Sequence, residues 1–576
     1  MLTGNKSKFT IAGIVLVPIF LYLASIWRRP LFAPLEYNCA AVADTLSNFL
    51  NNGSSLLVPK VADAILLDYP IFSYYLPAFL QSVLGKSAGS IRLGFVIIIL
   101  LTALVLWKGT KGLISKETSV VSCCLFITMF MPFLAATFAN SGAWGCLFTL
   151  LGTIFLSKGA SGNVRNKTSN SYFFLTGLMA SLGLLFYGVE IPVILILSGI
   201  IGFLLLKKND KLLSFILFGV LGLLPLSVLF MLILKNYEPS YLPLFFSKYN
   251  EIRIDLSIFT KLGNFILGTL PPGLFIFLVI KGYKNKVKEF FLNPSILMLA
   301  VGAVVALVVG LLSPIDLPFS LILVYPLMAI FMAQGLVYFS ASSVNIPYCN
   351  RVIKKIMVIF AVMIFSFFIY HVLGIFFNIV PQRNLIFSRG EAYYLPILVS
   401  LVFLFWLYFA YTEENYTSKF GCIILGCFCL FSMFHSFIPL RVVINYAPIR
   451  FLEKSLEPNL EAGNIILADK HLLGAAYWHL PKYTVKFIGC NKTLSLDSKD
   501  CLNLNILEES VKTTSVPVWL LSKKDNDYLA NKKITSLTEV IALHNKVFSA
   551  KLYAQKSSLR KSPRVKVVKK QINKKL

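Results

Sequence analysis

Charged side chains are scarce in this 576-residue chain: Asp and Glu number 26, Lys and Arg 54, and together they make up 14% of residues. A soluble globular chain is roughly a quarter charged, so an ordinary water-soluble fold is excluded. The apolar runs do not alternate with polar residues in short segments, which excludes a transmembrane β-barrel. No Walker A loop, serine-hydrolase elbow or HExxH sequence is present, so the motif-borne phosphate, acyl-transfer and zinc-protease chemistries are not signalled. The ten cysteines show no zinc-ligand spacing, and most fall in apolar runs, where Cys behaves as a small hydrophobe. No nucleic-acid module accompanies the formal net charge of +28, and the basic residues sit where topology signals and a solvated tail would put them.

What the chain has in quantity is apolar length. Hydrophobic residues make up 57% and the mean hydropathy is +0.75. Many segments run long enough without charge to cross about 30 Å of hydrocarbon as helices, the form in which a backbone satisfies itself in lipid. About thirteen spans are predicted, near 9–27, 91–107, 118–137, 142–157, 171–187, 190–206, 212–234, 263–280, 294–312, 320–339, 355–380, 394–411 and 420–438. The first, from Phe9 to Trp27, is too long for a signal-peptide core and lacks a small-residue cleavage site, so it reads as a retained anchor. Alternate loops are basic: Lys108, Lys111 and Lys116; Lys158, Arg165 and Lys167; Lys207, Lys208 and Lys211; Lys281, Lys284, Lys286 and Lys288; Arg351, Lys354 and Lys355. The loops between them, near Asn140, Gly188 and Asp316, carry almost no Lys or Arg. This bias predicts a cytoplasmic N-terminus. An odd number of spans then places the first long loop, residues 28–90, and the C-terminal region outside the cytoplasm.

From about Glu453 the composition turns mixed. Asn464 to Asp469, Thr484 to Ile488 and Val516 to Leu521 read as strands, and His471 to His479 as a helix, which together predict a small α/β domain. The expected organisation is a membrane domain over 1–450, a soluble extracytoplasmic domain over 451–550 and a basic, disordered tail over 551–576. Cys490 and Cys501 lie in that domain with ten residues between them; an oxidising compartment would permit a disulfide, and a pair of unlinked thiols fits equally.

Polar residues in or beside a membrane are costly and so are candidate functional groups. On the outer side they are Glu36, Lys60, Asp63 and Asp68 in the first loop, Asn140 and Glu190 in the next outer turns, Asp316, and then Arg383, Arg389 and Glu391. Each has a simpler role open to it. Glu36 could be a helix N-terminal acid favoured by the dipole, Asp68 a turn residue before Pro70, and Asp316 a helix cap. Lys60 and Arg389 could be anchors at phosphate head groups. His371 and His435, isolated in apolar runs, read as packed residues.

This layout resembles the GT-C glycosyltransferases, in particular the family 39 branch of lipid A aminoarabinose transferases and protein O-mannosyltransferases. Pro34-Leu35-Glu36-Tyr37 stands where that family opens its outer loop with Pro-Asp-Glu, and Ala40 to Leu50 follows as a helix. Val58-Pro59-Lys60 and then Asp68-Tyr69-Pro70-Ile71 and Tyr74-Tyr75 resemble the family's Val-Pro-Arg, Glu-Lys-Pro-Pro and aromatics, with the eleven-residue proline spacing kept. Ser313 to Pro318, Leu321 to Pro326, and Gly463 to Asp469 through Leu480-Pro481 are similar to later family segments. The chain departs from the pattern as well. The catalytic aspartate of the first motif falls on Leu35, the second-loop aspartate near Ser141 or Gly142, a lysine on Tyr187, and the Lys of Lys-Leu-Pro on Asp316.

The resemblance implies an all-α polytopic GT-C bundle with a small α/β domain, acting as a glycosyltransferase of the bacterial inner membrane. Its partners would be a polyprenyl-phosphate-linked sugar, a lipid, glycan or protein acceptor, and membrane lipids, with no nucleic acid. An acceptor hydroxyl or phosphate attacks the anomeric carbon while polyprenyl phosphate leaves. A carboxylate must take the proton, and cations must hold the departing phosphate. The residues implied are Glu36 as base, Asp68 in support, and Lys60, Arg383, Arg389, Tyr74 and Asp316 around the lipid-linked sugar. No cofactor is assigned; a divalent metal is left open, and no residue is nominated as its ligand. Two rivals share the hydropathy pattern. One is a binding-only GT-C relative, which the departures favour. The other is a transporter or flippase, which the lack of internal repeats and of charges at mid-membrane disfavours.

Overall fold

The computed structural model describes residues 5–26, 35–47, 58–67, 69–162, 167–237, 241–247, 257–284, 293–313, 321–340, 423–429, 464–488, 493–494, 518–523, 537–544 and 548–555, with isolated residues between. They form two compact units. One comprises Met1–Arg29, Arg92–Asn236 and Phe246–Arg441, the other Pro30–Ile91, Tyr237–Phe245 and Val442–Leu576.

The first unit is a bundle of apolar helices, and these account for ten of the expected spans. They are Asn5–Ile26, Ala88–Gly109, Lys116–Thr128 with Phe130–Thr137, Gly142–Ser161, Lys167–Phe186, Glu190–Leu205, Asn209–Tyr237, Ser257–Gly268 with Ile276–Tyr283, Pro294–Leu312, and Tyr325–Ser340. By length and composition six described helices can cross a membrane, or eight when each bent pair counts as one span. The spans expected near 355–380, 394–411 and 420–438 lie largely outside the described residues.

Two expected spans are not straight. The helix pair Lys116–Thr128 and Phe130–Thr137 bends by 55°, and the pair Ile258–Gly268 and Pro272–Tyr283 by 87°. At the first break Met129 is extended, with φ −73° and ψ 143°. Pro132 falls in the first turn of the new helix, where its missing N–H removes no bond. At the second break Pro271 and Pro272 start a 3-10 turn, Pro272–Phe275. The two breaks meet: the Phe130 N–H donates to the Leu270 carbonyl at 2.8 Å. Each break therefore supplies a partner for a backbone group that hydrocarbon would leave unsatisfied.

Between membrane helices there is no hydrophobic driving force, so close packing decides association. Lys167–Phe186 and Asn209–Tyr237 lie close enough that a Cβ at Gly177 would run into the Gly219 carbonyl, and one at Gly222 into the Phe174 carbonyl. Further along the same seam the Ser181 and Ser227 hydroxyls are 2.8 Å apart. At its near end Phe173, Phe203 and Phe215 pack edge-on and tilted, with centroids 5.5 to 5.8 Å apart. Serine and threonine within the bundle are satisfied along their own helices, Thr153 by the Thr149 carbonyl at 2.7 Å and Ser157 by that of Thr153 at 2.7 Å.

The second unit joins the first outer loop to the C-terminal region. Strands β1 (Lys60–Val61) and β2 (Ala64–Leu66) form a hairpin in which Lys60 faces Ile65, and β2 pairs in parallel with β5 (Thr493–Leu494). The larger sheet has the order β4 (Thr484–Phe487), β3 (Ile465–Ala468), β6 (Val518–Lys523), β8 (Phe548–Gln555), β7 (Leu537–His544). Strand β3 pairs in parallel with β4 and β6, and the β7–β8 hairpin closes the sheet antiparallel against β6. All four residues of β3 are buried, as a near-continuous apolar run at the centre of a sheet should be. The crossover from β3 to β4 carries the helix Leu473–His479, preceded by a turn in which the Asp469 carboxylate accepts from the His471 and Leu472 N–H groups at 3.0 Å each. Strand β8 runs to Gln555, so regular structure extends past residue 550. Cys490 and Cys501 lie outside the described residues.

Replacing Gly177 by Leu is expected to prevent the close approach to Gly219 and sharply reduce the yield of monodisperse protein in detergent. Ser181→Ala removes one hydroxyl contact and should shift thermal unfolding only slightly, by about 0.6 kcal/mol as for other interhelical hydrogen bonds in membranes.

Candidate functional site

Glu36 occupies the first turn of the helix Leu35–Ser47 and is fully buried, at 0% exposure. An acid at that place stands at the positive end of the helix dipole. One turn on, burial reinforced by the neighbouring Glu36 carboxylate pushes the Cys39 thiol above its usual range, so Cys39 is a packed thiol rather than a nucleophile. The rest of this helix is tied down on several sides. Tyr37 Oη lies 2.8 Å from His479 Nε2, with the two rings edge to face at 5.3 Å. Asp44 accepts from Gln81 Nε2 at 2.8 Å and from Lys86 Nζ at 2.9 Å. The Lys86 ammonium also stands 4.2 Å over the Trp478 ring.

Lys60 is half-buried at the start of β1, and Tyr74 is buried at the end of the 3-10 turn Ile71–Tyr74 that leads into the helix Tyr75–Leu84. Lys60, Tyr74 and Glu36 thus belong to one compact unit. Asp63, in the same loop, has a structural role. Its carboxylate accepts from the Phe487 N–H at 2.7 Å, fastening the hairpin to the end of β4. Asp68, Asp316, Arg383, Arg389 and Glu391, with His371 and His435, lie outside the described residues. Among the described residues no group of three or more His, Cys, Asp or Glu side chains is gathered to hold a metal ion.

In the helical unit the outer-turn candidates are structural partners. Asn140 caps the helix Gly142–Ser161, its Oδ1 accepting from the Gly142 N–H at 2.7 Å. Glu190 is buried and accepts from Ser313 Oγ at 2.8 Å. Lys261, also buried, donates to the Ser313 carbonyl at 2.7 Å and to that of Leu311 at 3.1 Å, closing the C-terminal end of Pro294–Leu312 in the way cations favour. Ser313 does not stand out in the sequence as a partner for Glu190, nor Lys261 as one for the Ser313 carbonyl. The only local signal is that each is a polar residue in an apolar stretch.

His479 can be followed by titration. Burial, with Lys86 adding to it and Glu457 opposing, pushes the imidazole down from 6.5 to about 4. The folded protein then binds fewer protons than the unfolded chain between those values, so this residue's contribution is present above pH 6.5 and is lost as pH falls towards 4. Thermal unfolding of the intact protein and of His479→Gln, compared at pH 7 and pH 4.5, should show a smaller acid destabilisation in the variant.

Residues 68–233 match the dolichyl-phosphate-mannose-protein mannosyltransferase family, a segment that begins after Glu36 and Lys60. The chain is 22% identical over 481 residues to the undecaprenyl phosphate-alpha-4-amino-4-deoxy-L-arabinose arabinosyl transferase of Enterobacter sp. (strain 638), covering 80% of this chain and 82% of that one. Its fold is similar to that of ArnT from Cupriavidus metallidurans in the apo state, with a TM-score of 0.74 and 14% identity over 95% of this chain and 98% of that one. The same ArnT bound to undecaprenyl phosphate gives a TM-score of 0.73, also at 14% identity, with the same coverage of both chains. The chain is thus an integral membrane protein with the GT-C glycosyltransferase fold, and it resembles the family 39 branch in sequence as well as in architecture.

Proposed function

We propose that this protein transfers a monosaccharide from a polyprenyl-phosphate donor to an acceptor on the outer side of the bacterial inner membrane. The observation that carries the reading is the fold shared over nearly the whole chain with ArnT, which has been seen with undecaprenyl phosphate bound. The sequence likeness to an arabinosyl transferase supports it. The alternation of basic loops supports a cytoplasmic N-terminus, with the unit that holds Glu36 outside.

Glu36 is the base of this proposal. As a carboxylate in the first turn of its helix it takes the proton of the attacking acceptor hydroxyl. As oxygen bonds to the anomeric carbon, the bond to the phosphate oxygen breaks and polyprenyl phosphate departs with its negative charge. Lys60, Arg383 and Arg389 are assigned to that phosphate, Asp68 to supporting Glu36, and Tyr74 and Asp316 to binding the lipid-linked sugar. The acceptor is a lipid, a glycan or a protein of the envelope.

Transfer from a panel of radiolabelled polyprenyl-phosphate sugars, measured in membranes, tests this. Glu36→Gln should lower turnover by about 10²–10⁴-fold, the usual worth of a general base. Lys60→Met should act mainly on donor KM, raising it by about tenfold or more, in line with the loss of one hydrogen bond to a charged group. Full activity in Glu36→Gln removes the base assignment. No transfer by the intact protein from any donor moves the protein to a binding role.

A further inference from the structure

Glu36 stands in the first turn of its helix, where backbone hydrogen bonding is least complete and where helices open most readily. A base must nevertheless be held to within a fraction of an ångström of its working place. What holds this turn comes from the far end of the chain. Tyr37, the next residue, is buried at 1% exposure, and its hydroxyl meets His479 Nε2 at 2.8 Å across 442 residues of sequence. The helix Leu473–His479 continues the contact. A Cβ at Gly474 would lie 2.8 Å from the Asn38 backbone N and 2.5 Å from its Oδ1, so glycine is required for the two helices to come this near. Two turns on, Thr45 Oγ1 and Tyr477 Oη are 3.4 Å apart. Asn38 is itself 2% exposed.

We propose that His479 and Tyr37 are positioning residues for catalysis. The C-terminal domain, through the Tyr37–His479 contact, sets the first turn of the Leu35–Ser47 helix and so aims Glu36. The inference rests on the transferase reading and on Glu36 as its base. It gives the soluble domain a part in the chemistry beyond fastening. His479 is neutral near pH 7 because burial holds its protonation well below the usual range. It therefore meets Tyr37 as an uncharged imidazole that can accept the phenol proton or donate its own.

The test is steady-state transfer by the full-length protein in membranes, from the radiolabelled polyprenyl-phosphate sugar that the unaltered protein uses best. The variants are Tyr37→Phe, His479→Leu, their combination, His479→Gln and Glu36→Gln. Tyr37→Phe removes one oxygen and keeps the packed ring. The expected result is a fall in kcat of about tenfold or more in Tyr37→Phe and in His479→Leu, with donor KM within about twofold, because a displaced base costs turnover more than binding. The double variant should be no worse than either single one, as two halves of one contact require. His479→Gln, which keeps a hydrogen-bonding group, should recover most of the loss. Unchanged kcat in Tyr37→Phe and His479→Leu, beside an inactive Glu36→Gln, overturns this inference and leaves the base in place. A parallel fall in kcat, donor affinity and folded yield, unrelieved by Gln, also overturns it and reduces the contact to ordinary packing. Full activity in Glu36→Gln, or no transfer by the unaltered protein, removes the transferase reading and this inference with it.

Discussion

In hydrocarbon, every peptide group must find its partner inside the protein, and that constraint orders the helical unit. Where the chain stays helical the partner is four residues away. Where it breaks, another break must supply one, and Phe130 and Leu270 do this across 140 residues of sequence. Those breaks sit beside proline, and proline here ends or starts helices without stranding a donor. Without that mutual arrangement the two bends would each leave polar backbone facing lipid, at a cost of several kcal/mol for each group.

Close packing follows from the same solvent. Lipid tails are as apolar as leucine, so helices stay together through contact area and small residues. The seam through Gly177, Gly222, Ser181 and Ser227 is built this way. Several polar side chains at helix ends in the bundle finish those helices. Lys261 and Ser313 close one helix end, and Glu190 holds the serine. Asn140 opens another helix.

The unit carrying Glu36 obeys a different rule. It is a sheet domain whose first strands come from residue 60 and whose last reach residue 555. The outer loop therefore takes its shape from the C-terminal domain, through β2 on β5, Asp63 on Phe487 and Tyr37 on His479. Local motif reading marks Glu36, Lys60 and Tyr74, because short proline and aromatic spacings carry them. It cannot mark Tyr37 or His479, since an aromatic after an acid and a histidine at a helix end are common in any domain. The departures at Leu35 and Tyr187 concern side chains only, and the fold survives them.

Hydropathy and charge are local properties, readable from a window of about twenty residues. They were enough to determine the membrane class, the places of ten apolar segments that are helical among the described residues, the basic loops, and the strands at 464–469, 484–488 and 516–521. The bends at Met129 and Leu270 were not determined in that way, because an apolar run reads the same whether its helix is whole or broken. Nor was the joining of the first loop to the last domain. That pairing spans more than four hundred residues, leaves no periodicity in either segment, and exists only where folding brings the two surfaces together.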